Sequence, residues 1–246
     1  MENASGPLSA ERATEVCASL IDMARIKAGV TKRPTICFDA WNICKWATPQ
    51  PHFPPIADTA LRLARDPVRA PGDKGAEELY TVSDTLAMGV WCNVFIRQST
   101  YLGTTNTAQS ANVIAPLVMT PTGPVKQTMS WVYLLFAKRM RGRTLGVHVK
   151  SGTYDVRTNP VFIESTMDVS AAVNNGYVNL AVVILNAEKA FETELKGVLA
   201  GQNVEVHLIT GENLNDVNTA DKTTVEIKES KYTFPKHSFN LLRWEL

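Results

Sequence analysis

The chain has 246 residues, 45% of them hydrophobic and 20% charged, with 25 basic against 24 acidic side chains and a net charge of +1. This length and composition describe an ordinary globular protein of one large or two modest domains and exclude the disordered and fibrous classes. The near-neutral balance gives no electrostatic drive toward nucleic acid or an anionic membrane surface, and it suits a neutral ligand.

In chain order, Ser9–Lys27 reads as a helix, with Ser9 as N-cap and Val16, Leu20, Met23 and Ala24 at helical spacing. Pro34–Asp39 is a short apolar run of the kind found in buried parallel strands. Lys45–Arg65 breaks the pattern: Pro49, Pro51, Pro54 and Pro55 crowd around His52 where a strand-to-helix connection is usually short. Glu77–Gln98 is a second helix, apolar on most sides and therefore needing cover on both. Thr105–Val113 reads as a strand, Met119–Pro124 as a loop, and Thr128–Met140 as a third helix stopped by Gly142.

From Thr144 onward the period switches to two. The segments are Val147–Lys150, Met167–Val173, Tyr177–Leu185, Phe191–Leu195, Val204–Ile209, Thr224–Ile227 and Phe239–Arg243, divided by turn residues such as Asn174-Asn175-Gly176. The first part, 1–142, follows a βαβα order typical of a parallel sheet, yet two strands cannot form such a sheet alone, so it reads as a piece of something larger. The second part, 143–246, reads as an antiparallel β-sandwich.

The four cysteines, Cys17, Cys37, Cys44 and Cys92, form no CxxC pair and no zinc-like spacing with histidine, so they read as unpaired structural thiols. Met1–Pro7 lacks the basic start and apolar core of a signal peptide, and no segment is long and apolar enough to span a membrane, which leaves the compartment open. Asn3-Ala4-Ser5 is a glycosylation sequon that matters only in a secreted protein.

Several motifs, in order, resemble α-L-arabinofuranosidases of glycoside hydrolase family 51. Phe38-Asp39-Ala40-Trp41-Asn42-Ile43-Cys44 is similar to the family's Phe-Asp-Glu-Trp-Asn-Val-Trp at the end of the seventh barrel strand. Asp66–Gly72 and Gly75–Asp84 resemble fungal members, and Ala108-Gln109-Ser110-Ala111-Asn112-Val113-Ile114 resembles the eighth strand. Gly176–Val183 and Tyr232–Ser238 look like the sandwich of the fungal branch. The resemblance implies the last two strands and helices of a (β/α)8 TIM barrel, followed by a C-terminal β-sandwich. It also implies hydrolysis of terminal α-L-arabinofuranosides of arabinan and arabinoxylan with retention, without metal or cofactor. Removing Lys45–Arg65 would restore the family spacing, so that segment reads as a retained intron or gene-model error, together with the late start at Met1.

Retaining glycosidases need two carboxyls about 5–5.5 Å apart. The resemblance places the nucleophile at Ala40, and its acid/base glutamate would lie upstream of Met1. A methyl group cannot attack an anomeric carbon, so this chain is expected to be inactive. Gln109 either orients a sugar hydroxyl or is a buried, backbone-satisfied amide. Trp41 either lines a sugar subsite or is core bulk. Asn42 supports the missing carboxylate or caps its loop. Asp39 reads as structural, Glu77 and Glu78 as helix-start acids, and His148, His207 and His237 as surface or packing residues. Trp46 is an alternative aromatic for the place of Cys44. Partners implied are arabinose-containing polysaccharides or oligosaccharides, with no nucleic acid and no membrane. A homo-oligomer is a further possible partner, while unpaired strand edges and bare helix faces speak for a product that does not fold stably alone. Two rivals remain: a non-catalytic sugar-binding or interaction protein, and a non-functional product.

Overall fold

A computed structural model describes residues 2–43, 80–107, 109–120, 123–155, 163–196, 203–216, 223–227 and 231–246. Lys45–Arg65, Trp46, Cys44, Glu77 and Glu78 lie outside these residues. The chain opens with helix α1 (Glu2–Ala28), then strand β1 (Ile36–Trp41), helix α2 (Val82–Arg97), strand β2 (Leu102–Thr107), the hairpin β3 (Leu117–Thr120) and β4 (Gly123–Lys126), and helix α3 (Ser130–Arg139). Strands follow: β5 (Arg143–Leu145), β6 (Thr153–Asp155), β7 (Ile163–Ser165), β8 (Met167–Asn174), β9 (Tyr177–Ile184), β10 (Phe191–Glu194), β11 (Val204–Ile209), β12 (Thr223–Ile227), β13 (Lys231–Phe234) and β14 (Ser238–Glu245).

Helix α1 departs from its sequence reading. It starts seven residues before Ser9, which is interior to the helix and not its cap, and it accommodates Pro7. Its apolar stripe faces outward: Val16, Leu20 and Met23 are 59%, 55% and 63% exposed. Apart from Leu8, packed against the core, what docks α1 is small and polar. Thr14 and Ala18 are buried. Arg33, ahead of β1, donates to both carboxylate oxygens of Asp22 at 2.7 and 3.1 Å.

The six-stranded sheet has the order β12-β11-β14-β9-β8-β5, with every pairing antiparallel. Strands β8 and β9 are joined by a two-residue turn, Asn175-Gly176, with φ of 50° and 79°. Two positive φ values in succession define the turn whose twist matches a right-twisted hairpin. On β9, Ala181 and Val183 face one hydrophobic cluster, while Val178, Leu180, Val182 and Ile184 face another. The strand is thus buried on both faces. Phe191 of β10 and Tyr232 and Phe234 of β13, a second antiparallel pair, belong to that second cluster.

The other sheet face is covered by α2. Gly89 permits this approach, since a Cβ there would lie 2.8 Å from Val183 Cγ2 and 2.9 Å from Phe239 Cδ2. On its other side, α2 meets β1 through Trp91 and Phe95, which contact Phe38 and Trp41 at centroid distances of 4.8–5.6 Å. The sequence expectation of a helix needing cover on both flanks is met. Gly142 ends the third helical segment with φ +105, and a Cβ there would strike the Val173 carbonyl oxygen at 2.3 Å.

Several boundaries differ from the sequence reading. Strand β2 runs 102–107 and ends before Gln109, where the expected strand was Thr105–Val113. Met119–Pro124 was expected as a loop, and its described part belongs to the β3–β4 hairpin. Val147–Lys150 alternates in sequence but forms no strand; the edge position beside β8 is taken by Arg143–Leu145. Alternation reports only where a strand could lie, and the partner decides which stretch is used.

Candidate functional site

Strands β1 and β2 pair in parallel, with Asp39 opposite Asn106 and Trp41 opposite Thr107. The register slips between Asp39 and Trp41, so Ala40 is the extra residue of a bulge, and its φ is +56. A bulge breaks the period of two. That is why Trp41, three residues after Phe38, shares its inward face. The strand pair therefore has two chemically distinct sides.

The inward side is aromatic. Trp41 is 6% exposed and lies 5.4 Å from Trp91, 4.8 Å from Phe95 and 6.1 Å from Tyr133, ring centre to ring centre. Tyr133 donates to Thr107 Oγ1 at 2.8 Å, and Thr107 donates in turn to the Trp41 carbonyl at 3.2 Å. Burial pushes the Tyr133 hydroxyl pKa upward, against the Thr107 hydrogen bond. Burial likewise pushes the Cys92 thiol up to about 12, so it is unreactive.

The open side is polar and exposed. The Cys37 thiol lies 3.2 Å from Asp39 Oδ2 and 2.8 Å from Thr104 Oγ1, and Asn106 Nδ2 donates to Asp39 Oδ1. The Asn106 and Cys37 hydrogen bonds hold the Asp39 carboxyl below the ordinary aspartate value. Asp39 is engaged with its neighbours, in line with a structural part.

Left-handed backbone lies in or just beyond the carboxyl end of each strand. Beside Ala40, the residues following β2 include Gln109 at φ 60, Asn112 at 66 and Ile114 at 41. Such non-glycine conformations cost of order 1–3 kcal/mol each and persist where the surroundings over-determine them. Here the surroundings are visible. Asn42 Nδ2 donates to the Ile114 carbonyl, and Asn42 Oδ1 accepts from Ile43 N–H at 2.7 Å. Asn112 Oδ1 accepts from Met119 N–H at 2.8 Å, and Asn112 N–H donates to the Leu117 carbonyl at 2.7 Å. Gln109 is exposed and follows two residues after Thr107, which pairs with Trp41.

The structure thus groups Ala40, Asn42 and Gln109 at the carboxyl ends of β1 and β2 and turns Trp41 away into the core. The histidines lie elsewhere. His148 is exposed, His207 is 2.8 Å from Glu205, and His237 is buried with Nε2 at 2.9 Å from the Gly211 carbonyl. Among the described residues, no group of three His, Cys, Asp or Glu could hold a metal ion. Gln127, which shapes the loop after β2, carried no sequence signal as a site residue, since its partner Tyr80 is distant in sequence.

Comparison with known proteins gives this arrangement its context. A family model described as Alpha-L-arabinofuranosidase C-terminal domain matches residues 40–241. The chain is 46% identical over 258 residues to a probable alpha-L-arabinofuranosidase C of Aspergillus terreus, covering 99% of this chain and 47% of that protein. It is 42% identical to alpha-L-arabinofuranosidase C of Emericella nidulans, again covering 47% of that protein. The chain therefore spans about half the length of the curated relatives it matches. Among solved structures it is similar to a family 51 alpha-L-arabinofuranosidase from Bifidobacterium longum, with TM-score 0.79 and 16% identity over 99% of this chain and 49% of that one. It also resembles the arabinose complex of an alpha-L-arabinofuranosidase from Thermotoga maritima, with TM-score 0.72 and 22% identity over the same shares. With the family model covering most of its length, this chain belongs to the α-L-arabinofuranosidase C-terminal domain family.

Proposed function

We propose that this chain recognises arabinofuranosyl groups at the carboxyl ends of β1 and β2 without hydrolysing them. In this reading, 1–142 is part of a (β/α)8 barrel in which β1 and β2 are the last two strands, and 143–246 is the C-terminal β-sandwich. Ligands of barrel proteins bind at the carboxyl ends of the strands. The observation carrying the proposal is the left-handed backbone of Ala40, in the bulge at the carboxyl end of β1, and of Gln109, just beyond the end of β2. Backbone held away from its relaxed state is typical of binding sites. Gln109 offers its amide to a sugar hydroxyl, and Asn42 holds the adjoining loop from the β1 side. Trp41 contributes from behind, as the aromatic floor that keeps the Ala40 bulge in place.

Hydrolysis with retention requires a nucleophile and an acid/base. Residue 40 is alanine and can serve as neither. The partners in this reading are arabinose-containing oligosaccharides and polysaccharides. Calorimetric titration with α-1,5-linked arabinotriose tests recognition, and p-nitrophenyl α-L-arabinofuranoside tests turnover. We expect heat of binding and no nitrophenol release. Absence of binding overturns recognition. Turnover by purified protein that survives substitution of surface residues used as controls overturns the non-catalytic assignment.

A further inference from the structure

Between the strand ends and the start of α2 lies a buried amide to which no motif points. Gln127 is 4% exposed and stands shortly before α3. Its Oε1 accepts the Tyr80 backbone N–H at 2.8 Å, and its Nε2 donates to the Ala115 carbonyl at 2.8 Å. Its own backbone N–H reaches the Pro116 carbonyl at 2.9 Å. Tyr80 leads into α2, whereas Ala115 and Pro116 close the loop that begins at Gln109. Ser130 Oγ also donates to the Pro116 carbonyl, and Asn42 grips Ile114 from the β1 side. The loop's left-handed residues are thus held from both flanks.

The chemistry of the brace is selective. It needs an acceptor and a donor from one planar group, which an amide supplies. A glutamate of the same shape keeps the acceptor. At neutral pH it would set a carboxylate against the Ala115 carbonyl, and only its protonated form could donate there.

We infer that Gln127 is a positioning residue: through the loop 109–117 it fixes the backbone that presents Gln109 to the sugar. This rests on the reading above that Gln109 contacts arabinofuranose. The test compares the full wild-type chain with Gln127→Glu by hydrogen exchange and by titration with α-1,5-linked arabinotriose. At about pH 7.5, protection of the Asn112 and Val113 amides should fall at least about tenfold in the variant, with sugar affinity falling in step. At about pH 4.5 both should return to within about twofold of wild type, because the protonated carboxyl regains the missing donor. Amides of β8 and β9 should be unaffected at either pH. Unchanged loop protection, loss equal at both pH values, or loss shared by β8 and β9 would each overturn the inference. A wild-type chain that binds no arabinotriose overturns the sugar reading and with it the role assigned to Gln109. The exchange result then decides separately whether Gln127 holds the loop.

Discussion

The six-stranded sheet and the β1–β2 pair are built on opposite plans. Strands β9 and β14 are covered on both faces, by α2 on one side and by the cluster containing Phe191 and Phe234 on the other. Among the described residues, β1 is covered on one face only, by Trp91 and Phe95, and the pair presents Cys37, Asp39, Thr104 and Asn106 on the other. In the sheet, hydrophobic burial on both faces fixes register. In the strand pair, register is interrupted by a bulge and held by specific hydrogen bonds. Stability therefore concentrates in the sheet, while strain concentrates at the strand ends.

The largest effect should come from the sheet. Phe239 is fully buried between Gly89 and Phe136. Phe239→Ala should cost about 4 kcal/mol by leaving a cavity under α2, read as a lowered urea midpoint with an unchanged slope. A loss under 1 kcal/mol would show that the shared core is looser than the packing indicates.

Next comes the polar clasp joining α1, α2 and β8. Arg97 of α2 donates to both Glu11 carboxylate oxygens at 2.8 Å, to Asp168 at 3.0 Å and to the Val169 carbonyl at 3.0 Å. Asn93 meets the same Asp168 carboxylate at 2.7 Å. Arg97→Met leaves two acids without their cation and should cost about 3 kcal/mol. Exchange of α1 amides should rise before those of β9, since α1 buries little apolar surface of its own. Simultaneous exposure of both elements would show that α1 unfolds together with the sheet.

A gain is expected at the strand end. Ala40→Gly relieves a left-handed alanine and should stabilise the chain by about 1 kcal/mol, measured by thermal or urea unfolding. A destabilised glycine variant would mean that the methyl group packs usefully.

The smallest effects separate the regions by sign. Burial raises the Asp168 carboxyl above its ordinary value of 3.8, although Arg97 and Asn93 oppose the shift. A raised folded-state value means that its contribution is fullest below the unfolded value and is lost as pH rises through the folded one. Asp39 is shifted downward from 3.8 by Asn106 and Cys37. Its contribution is present above the unfolded value and disappears as pH falls through the folded one. Unfolding free energy against pH should thus change in opposite directions for Asp168→Asn and Asp39→Asn. Parallel changes would contradict the two environments.

How much of this could be read beforehand follows the same division. The β8–β9 hairpin was legible because Asn175-Gly176 signals its turn and the flanking residues alternate. The two-sided burial of α2 was legible from its unbroken apolar surface. Helix α1 misled, since Val16, Leu20 and Met23 are spaced like a buried stripe but face solvent. At the site, motif resemblance brought Ala40, Asn42 and Gln109 forward. Nothing in the local pattern revealed the bulge that sends Trp41 into the core, because a bulge is defined by the partner strand. Gln127 was invisible for a related reason: its partner Tyr80 is 47 positions away in the chain.

Gly89 has a consequence beyond close packing. Helix α2 stands between the sheet and the strand pair like a gauge block, with Gly89 against Val183 and Phe239 on one flank and Trp91 against Phe38 and Trp41 on the other. A helix is stiff across its diameter of about 10 Å. The thickness of one side chain at position 89 is therefore carried over to β1. The hydrogen atom there sets the height of Ala40 above the sheet.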